Sequence, residues 1–466
     1  MTQAARAISI ATVPGGRILG ISNGTILSIG ILGSGLFVLF NSGPLSGVIG
    51  LTLLTVSALV IGRLDLLHPY TWYCPFFFLY SISTPMLVWL EIKEDVSSLH
   101  ETVIMEWLAL CSFLLAVGYL KNRRPISPKP IPEIERPAWY LFLAAFAVSS
   151  VYLAYIWSSG LTSKFEIILS TSMLGHLNPA FSVLALAYGI LLAISLVRKR
   201  IPWGLLFFVI AWHLLSFLIT GERAILLRVL WITFLLVHSL YRRIPNRVLA
   251  MVAICVLLLL PVLQELKNVL IRDTPLSVSL ASPFVSVLAD EFVAGSENLQ
   301  TVIQNPPRHY YWGETLWWDV KQALLPGFLL PSGTGPAPTL RFNEEFFPDV
   351  VAQGGGQGFT LVGEGYMNFG AAGVVLWFVL LGGFVGYLYR QSARNLVWHT
   401  MYIVTMPLVV YVTRADFSNL LAQFGKHVAL PVAAIYLGRR YFLAQGSNPR
   451  QPLPAMPGSS SAQLIR

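Results

Sequence analysis

The chain has 466 residues, of which 55% are hydrophobic and only 11% are charged. A soluble globular protein carries about 25% charged residues, so this composition excludes a soluble protein and predicts one that lies mainly in lipid. The formal net charge of +9 is compatible with nucleic-acid binding, but the positions of the charges explain it without such a partner. The three cysteines lie in apolar runs and predict neither a disulfide framework nor a metal site.

Twelve apolar runs reach the length of about 17–25 residues that crosses the hydrocarbon core of a bilayer. They are too long, and alternate too little, for the strands of a membrane β-barrel. The sequence therefore predicts an all-α polytopic membrane protein with about twelve transmembrane helices. These helices are predicted near residues 25–42, 45–62, 72–91, 102–120, 138–158, 179–197, 202–219, 224–242, 245–265, 370–390, 397–413 and 427–443.

Lysine and arginine collect in one set of alternate loops, for example at 121–129, 198–200 and 242–247. Aspartate and glutamate collect in the opposite set. Because cytoplasmic loops of membrane proteins carry the excess of Lys and Arg, this alternation predicts that both termini are cytoplasmic. The excess of positive charge thus sets the orientation of the helices, and we expect no nucleic-acid partner.

One loop, 266–369, is far longer than the others and falls on the predicted outer side. Loops of this length usually carry structure of their own or a function. The apolar residues of 284–303 are spaced as in an amphipathic helix, so we expect a structured lid that lies along the membrane surface. The predicted organisation is helices 1–9 in residues 1–265, the periplasmic lid in 266–369, helices 10–12 in 370–445 and a disordered cytoplasmic tail in 446–466.

Five aromatic residues within this loop allow two interpretations. Trp and Tyr are enriched where membrane proteins meet the lipid head groups, so the group can form an interfacial belt. The aromatic faces can also stack on sugar rings, and the two roles are compatible. The residues are Tyr310, Tyr311, Trp312, Trp317 and Trp318.

Arginines on the predicted outer side are informative because the orientation rule does not explain them. The guanidinium fork matches phosphate oxygens and stays charged. Arg223 opens the eighth predicted helix, and a helix N-terminus also favours anions, so this position predicts a seat for a diphosphate. The alternative is an interfacial arginine paired with Glu222. Arg228 lies just inside the same helix, and the other outer arginines are Arg272, Arg308, Arg341 and Arg414.

Two further polar clusters flank the last predicted helices. Arg414-Ala415-Asp416 follows the eleventh helix, where the alternative to a substrate site is a helix-capping Asp beside an interfacial Arg. Glu364 and Asn368 lead into the tenth helix and share a face if that helix begins early, because they are four residues apart. The alternative there is an ordinary polar first turn.

In chain order these pieces resemble the Wzy-type O-antigen and oligosaccharide repeat-unit polymerases. The resemblance extends over about 220–425, and the first half of the chain agrees only in hydropathy and topology. It is carried by Gly221-Glu222-Arg223, Ser296-Glu297-Asn298-Leu299, Leu325-Pro326-Gly327, Gly358-Phe359-Thr360 with Glu364 and Asn368-Phe369-Gly370, and Arg414-Ala415-Asp416.

The resemblance implies a GT-C-like membrane glycosyltransferase of the bacterial inner membrane. Such an enzyme joins oligosaccharide units that are linked to undecaprenyl diphosphate, on the periplasmic face. The growing chain passes from its lipid diphosphate to the non-reducing end of a new unit, without a nucleotide sugar, a metal or another cofactor. A chain-length regulator is the implied protein partner.

The candidate site residues follow from that chemistry. Arginines held at the membrane surface would stabilise the charge on the leaving lipid diphosphate, and a carboxylate would take the proton of the acceptor hydroxyl. The candidate catalytic residues are Arg223, Arg414, Asp416 and Glu364. The candidate substrate-binding residues are Arg228, Lys267, Arg272, Glu297, Arg341, Tyr366 and Asn368.

Two other functions stay open at this point. An O-antigen ligase uses the same lipid diphosphate donor, would need the same arginines and transfers the glycan to lipid A core. A transporter or flippase of lipid-linked oligosaccharides commonly shows internal repeats, and the two halves of this sequence show none. The outer histidines are scattered and the sequence has no Asp-x-Asp pair or P-loop, so we expect neither a metal site nor a nucleotide site.

Overall fold

The structure is a computed structural model that describes most of the chain. The described residues are 17–18, 21–94, 97–120, 130–131, 133–160, 177–245, 247–249, 251, 255, 285, 288–306, 310–324, 338–352 and 356–446.

The described part of the chain is almost entirely helical. A short antiparallel pair of strands, β1 (Arg17–Ile18) and β2 (Ile21–Ser22), precedes the first helix. The helices of the first half are α1 (Asn23–Phe40), α2 (Pro44–Gly62), α3 (Pro69–Trp89), α4 (Leu99–Leu120), α5 (Glu135–Ser159), α6 (Pro179–Val197), α7 (Trp203–Thr220) and α8 (Arg223–Leu236), which continues as the π-helix Val237–Tyr241.

The second half contains several short helices followed by longer ones. A π-helical turn, Leu288–Phe292, leads into α9 (Val293–Gln304), and it is followed by α10 (Glu314–Leu324), α11 (Pro338–Phe346), α12 (Pro348–Ala352), α13 (Leu361–Phe369), α14 (Ala371–Ser392) and α15 (Leu396–Tyr411). The chain then runs through a 3₁₀ turn (Val412–Arg414), α16 (Phe417–Phe424), a π-helical turn (Gly425–Ala429) and α17 (Leu430–Gly446).

Ten of the described helices are long and apolar enough to cross a membrane, namely α1, α2, α4 to α8, α14, α15 and the continuous α16–α17. They confirm a polytopic membrane protein and ten of the predicted spans. The run predicted at 72–91 is the helix α3, but its proline, hydroxyl and aromatic residues make it less apolar than the ten. The run predicted at 245–265 lies mostly outside the described residues.

The last membrane span begins earlier than the sequence predicted. We expected it near 427–443, and the continuous helix already begins at Phe417. The side chain of Asp416 caps this helix by accepting a hydrogen bond from the backbone N–H of Asn419, which fixes its start before the apolar run. Residues Phe417–Phe424, which precede the predicted apolar run, are therefore helical.

The long helices pack closely where small residues allow their backbones to approach. A Cβ atom added at Gly382 of α14 would lie 2.8 Å from the carbonyl oxygen of Phe113 in α4. Glycine at this position therefore lets α4 and α14 touch, as small residues commonly do between membrane helices. Together with α3, α6 and α15, this pair forms the buried core, which includes the fully buried Tyr73 and Trp377.

The short helices of the second half pack on one end of this bundle, which we call the loop face. It is the end at which α3, α5, α7 and α15 finish and at which α4, α8 and α14 begin. Here α9 lies against α3, where Thr84 and Ser296 share a hydrogen bond of 2.6 Å, and α10 lies against α16. The segment predicted as an amphipathic helix at 284–303 thus corresponds in its described part to the π-helical turn and α9, and it packs on the bundle.

Candidate functional site

The helix α13 lies at the centre of the loop face and carries two of the predicted site residues. The hydroxyl of Thr360 caps its start by accepting a hydrogen bond of 2.8 Å from the N–H of Gly363. Gly370 ends it with a φ of +62°. A Cβ atom added at Gly373 would lie 1.9 Å from the carbonyl oxygen of Gly365, so α13 and α14 meet backbone to backbone. These constraints hold α13 against the membrane bundle.

Glu364 joins three parts of the chain from within α13. Its side chain is fully buried. One carboxylate oxygen accepts a hydrogen bond of 2.9 Å from the hydroxyl of Thr315 in α10, and the other accepts one of 2.7 Å from the backbone N–H of Phe417 in α16. Because a buried carboxylate is costly without such donors, these bonds tie α10, α13 and α16 together.

Asp416 is the second buried carboxylate, and its hydrogen bonds are also internal. One oxygen accepts from the backbone N–H and from the side-chain amide of Asn419, both at 2.8 Å. The other accepts from the backbone N–H of Thr339 at 3.1 Å and from the hydroxyl of the same residue. A carboxylate has about four lone-pair positions, so these four donors fill them. Asp416 thereby clamps the start of α11 to the start of α16.

Asp416→Asn is expected to lower the free energy of unfolding by about 1–3 kcal/mol, although the substitution barely changes the side-chain volume. An asparagine places its amide NH₂ against an N–H of either Thr339 or Asn419, and neither can accept a hydrogen bond. Thermal unfolding of the detergent-solubilised protein measures the effect. The matched control is Asp65→Asn at the opposite end of the bundle, where the carboxylate accepts one backbone bond of 3.2 Å, from Leu67. An equal loss in both variants would count against the clamp.

Both carboxylates hold the backbone just after Arg414, Asp416 through its own hydrogen bonds and Glu364 through the N–H of Phe417. The C-terminal side of Arg414 is fixed in this way. On the other side, Gly358 packs against its carbonyl group, so that a Cβ atom added at Gly358 would lie 3.1 Å from that oxygen. The carbonyl of Gly358 in turn accepts a hydrogen bond from the side chain of Asn298 in α9. The half-buried side chain of Arg414 is therefore attached to a fixed backbone at the loop face.

The arginines of α8 approach the same region through α16. Arg223 is half-buried and opens α8 directly after Gly221, which adopts a φ of +67°, and Glu222. The guanidinium of Arg228 donates hydrogen bonds to the hydroxyl of Ser182 at 3.2 Å and to the side-chain oxygen of Gln423 at 2.9 Å. Gln423 lies in α16, so this bond connects Arg228 of α8 to the helix that Asp416 caps.

Arg341 lies within a separate charged cluster on the lid helices. Its guanidinium is 3.1 Å from the carboxylate of Glu314 and lies over the ring of Tyr311, 3.9 Å from its centroid. The hydroxyl of Tyr311 donates a hydrogen bond to Glu345. These contacts couple α10 to α11, and both Arg341 and Glu314 remain partly exposed to solvent.

Glu297 and Tyr366 each pair with a residue near the start of α4. Glu297 forms an ion pair with Lys93. The hydroxyl of Tyr366 donates a hydrogen bond of 3.2 Å to the carboxylate of Glu101. Burial, reinforced by the negative charge of Glu101, raises the pKa of Tyr366 to about 12. The phenol therefore stays neutral, and a donor, at physiological pH.

Asn368 organises the turn before α10. Its side-chain oxygen accepts a hydrogen bond of 3.0 Å from the N–H of Gly313, and its amide group donates to the hydroxyl of Thr315 at 2.7 Å. It is fully buried. Of the predicted substrate-binding residues, Lys267 and Arg272 lie outside the described residues.

The sequence did not reveal the partners that complete this network. Thr315, Thr339 and Asn343 are uncharged residues in short lid helices, and they have no local pattern that distinguishes them from surface residues. Asn343 nevertheless donates hydrogen bonds to the carbonyl oxygens of Thr339 at 2.7 Å and of Gln357 at 3.0 Å. Within the described segments, no three His, Cys, Asp or Glu side chains form a group that could hold a metal ion.

A comparison with protein families finds a match, which includes part of this region. Residues 346–445 match the family model of the O-antigen polysaccharide polymerase Wzy. The resemblance inferred from the sequence motifs is thus confirmed over this range. The matched range contains α12 to α16 and most of α17, with Glu364, Asn368, Arg414 and Asp416, whereas Arg223 and Glu297 lie outside it. No curated protein and no solved structure matches the chain.

Proposed function

We propose that this membrane protein polymerises oligosaccharide repeat units linked to undecaprenyl diphosphate, on the periplasmic face of the bacterial inner membrane, with both termini in the cytoplasm. The observation that carries the proposal is the match of residues 346–445 to the Wzy polymerases, because that range contains Glu364, Arg414 and Asp416. The match supports repeat-unit polymerisation in general. The lipid carrier is what the resemblance to this family implies, and the orientation is predicted from the distribution of Lys and Arg.

The reaction transfers the growing glycan from its own lipid to the next unit. The bond between the first sugar of the growing chain and the diphosphate oxygen breaks, and that sugar forms a new bond to a hydroxyl oxygen at the non-reducing end of the incoming unit. The proton of the hydroxyl passes to solvent water, and the lipid diphosphate leaves with the electron pair of the broken bond. Negative charge therefore develops on the diphosphate at the membrane surface.

Arg414 and Arg223 are suited to stabilise that charge. Both are half-buried at the loop face, where a guanidinium can form charge-assisted hydrogen bonds to phosphate oxygens while it remains close to lipid head groups. Arg223 also adds its charge to the N-terminus of α8. Donors that are held in place before the reaction stabilise a transition state without further reorganisation, and the fixed backbone of Arg414 meets this requirement.

Glu364 and Asp416 were predicted as acceptors of the hydroxyl proton, and their contacts favour a different role. Both carboxylates are fully buried and already accept hydrogen bonds from neighbouring segments. To take a proton from substrate, either would first have to exchange these donors. We therefore assign them to positioning Arg414, and the comparison of Glu364→Gln with Glu364→Ala, described in the Discussion, separates positioning from proton transfer.

Polymerisation by the purified protein tests the proposed function. The protein is reconstituted in lipid vesicles and given the lipid-diphosphate-linked repeat unit in the presence of EDTA. We expect a ladder of longer lipid-linked glycans, because the proposed chemistry uses no metal, cofactor or nucleotide sugar. Addition of lipid A core tests for a ligase, and protection of the labelled unit from the opposite leaflet tests for a flippase. Transfer to lipid A core without a ladder, or translocation alone, would overturn the proposal.

The arginine variants belong to the same experiment. Arg223→Ala and Arg414→Ala are each expected to weaken or abolish the ladder. Arg394→Ala provides the matched control, because Arg394 is exposed between α14 and α15 at the opposite end of the bundle. A chain-length regulator, if supplied, is expected to change the distribution of product lengths and not the requirement for the two arginines.

A further inference from the structure

Trp312 stands out in the lid because its backbone conformation is unusual for a bulky residue. Its φ is +48°, in the left-handed region that glycine and asparagine enter more readily. Gly313 follows with a φ of +87°. A bulky residue kept in this region needs neighbours that enforce the conformation, and such strain is common at ligand-binding positions.

The last turn of α13 enforces this conformation. The N–H of Tyr311 donates to the carbonyl of Met367 at 3.0 Å, and the N–H of Trp312 donates to the carbonyl of Asn368 at 3.2 Å. The N–H of Gly313 donates to the side-chain oxygen of Asn368 at 3.0 Å. Three successive backbone donors are thus bonded to two residues of one helix. The indole of Trp312 is carried on a turn that is fixed to the same helix as Glu364.

The indole of Trp312 is exposed at the protein surface and is not buried in the core. Trp312 is 73% exposed and the neighbouring Tyr310 is 40% exposed. The ring centroids of Trp312 and Tyr310 are 6.1 Å apart and those of Trp312 and Phe369 are 5.8 Å apart, and both pairs meet edge to face. Two aromatic rings therefore contact the indole of Trp312 while most of its surface stays exposed next to the site.

The residues beside this surface are charged and partly exposed. Glu314, two residues along the chain, has a 63% exposed side chain and pairs with Arg341, which covers Tyr311. An aromatic surface beside carboxylate and guanidinium groups suits a ligand that has both apolar C–H faces and hydroxyl groups. A sugar ring has this character, whereas an acyl chain would bury the ion pair without compensation.

We propose that Trp312, with Tyr310 beside it, is a stacking platform for a sugar ring of the repeat-unit glycan, and that Glu314 and Arg341 bind hydroxyl groups of the same glycan. This inference rests on the proposed function for the identity of the glycan. It applies the sugar-stacking interpretation of the aromatic stretch to Trp312. The binding surface lies on the turn that Asn368 fixes, so a bound glycan is held at a set position relative to α13.

The test uses the water-soluble oligosaccharide that mild acid releases from the lipid-linked repeat unit. Its binding to the full-length, detergent-solubilised protein is measured by titration calorimetry. We expect Trp312→Ala to weaken binding about tenfold and Trp312→Tyr to stay within about threefold of the unsubstituted protein, since a tyrosine ring also stacks. Both variants are first checked for unchanged thermal unfolding, so that loss of fold is not mistaken for loss of the platform.

Trp157→Ala is the matched control. The exposed fraction of Trp157, 76%, is close to the 73% of Trp312. Trp157, however, lies near the end of the membrane-spanning helix α5. Unchanged binding in Trp312→Ala, an equal loss in Trp157→Ala, or no binding of the free oligosaccharide by the unsubstituted protein would each overturn the platform. Failure of the proposed function is a separate result, because a protein that binds the glycan through Trp312 but forms no ladder retains the platform and loses the polymerase assignment.

Discussion

Arg414→Ala is expected to slow polymerisation of the lipid-linked repeat unit by about 100- to 1,000-fold, the usual effect of removing one preorganised donor from a developing negative charge. The backbone of Arg414 is fixed by contacts that do not involve its guanidinium, including the bond from Phe417 to Glu364 and the packing of Gly358. The variant should therefore fold normally and lose rate. Initial rates of ladder formation, normalised to folded protein, measure the effect.

Arg414→Lys sharpens this prediction. Lysine keeps the positive charge but loses the planar fork that binds two phosphate oxygens at once, so we expect a rate between those of the alanine variant and the unsubstituted protein. Arg394→Ala at the opposite end of the bundle should leave the rate unchanged. An Arg414→Ala rate within about threefold of the unsubstituted protein would show that Arg414 does not stabilise the leaving group.

Glu364→Ala is expected to have the largest effect on stability. It leaves the hydroxyl of Thr315 and the N–H of Phe417 without the acceptor that each now has in Glu364. A buried donor left unsatisfied costs about 1–3 kcal/mol, so the two together lower the free energy of unfolding by about 2–6 kcal/mol. Thermal unfolding of the detergent-solubilised protein gives the size of the loss.

Glu364→Gln separates the two roles of this residue. The glutamine oxygen can accept the bond from Phe417, and its NH₂ group can donate to the hydroxyl of Thr315. We expect a stability loss of about 1 kcal/mol and a polymerisation rate within about tenfold of the unsubstituted protein. A glutamine cannot take a proton at neutral pH. If Glu364→Gln instead loses as much rate as an inactive variant while it stays folded, Glu364 is a general base and the positioning role is wrong.

The membrane helices were largely predictable from the sequence because the signal is local. A run of about 17–25 apolar residues is sufficient to cross a bilayer whatever its neighbours are. Ten such helices are present among the described residues. The prediction was weakest where tertiary contacts compensate for polar groups. The helix α3 contains Thr84, whose hydroxyl is bonded to Ser296 of α9, so a less apolar sequence is stable there.

The candidate site was predictable in part. The positions of Glu364 and Asn368 on one helix follow from their spacing, and the structure gives them a short helix of their own. The helix-capping interpretation of Asp416 also agrees with the structure. Their remaining partners lie far along the chain, since Thr339 is 77 residues from Asp416 and Thr315 is 49 from Glu364. Pairings over such separations depend on how the lid folds back on the bundle, which no local pattern encodes.

The most direct test of the positioning role is a double-mutant cycle that joins Glu364 to Arg414. Rates of ladder formation are measured for Glu364→Ala, for Arg414→Ala and for the double variant, each normalised to folded protein. If the buried carboxylate acts by holding Arg414 in place, the double variant should be no slower than Arg414→Ala alone, because the group being positioned is already absent. If the two losses multiply, Glu364 acts on the reaction independently of Arg414, and the positioning role is contradicted.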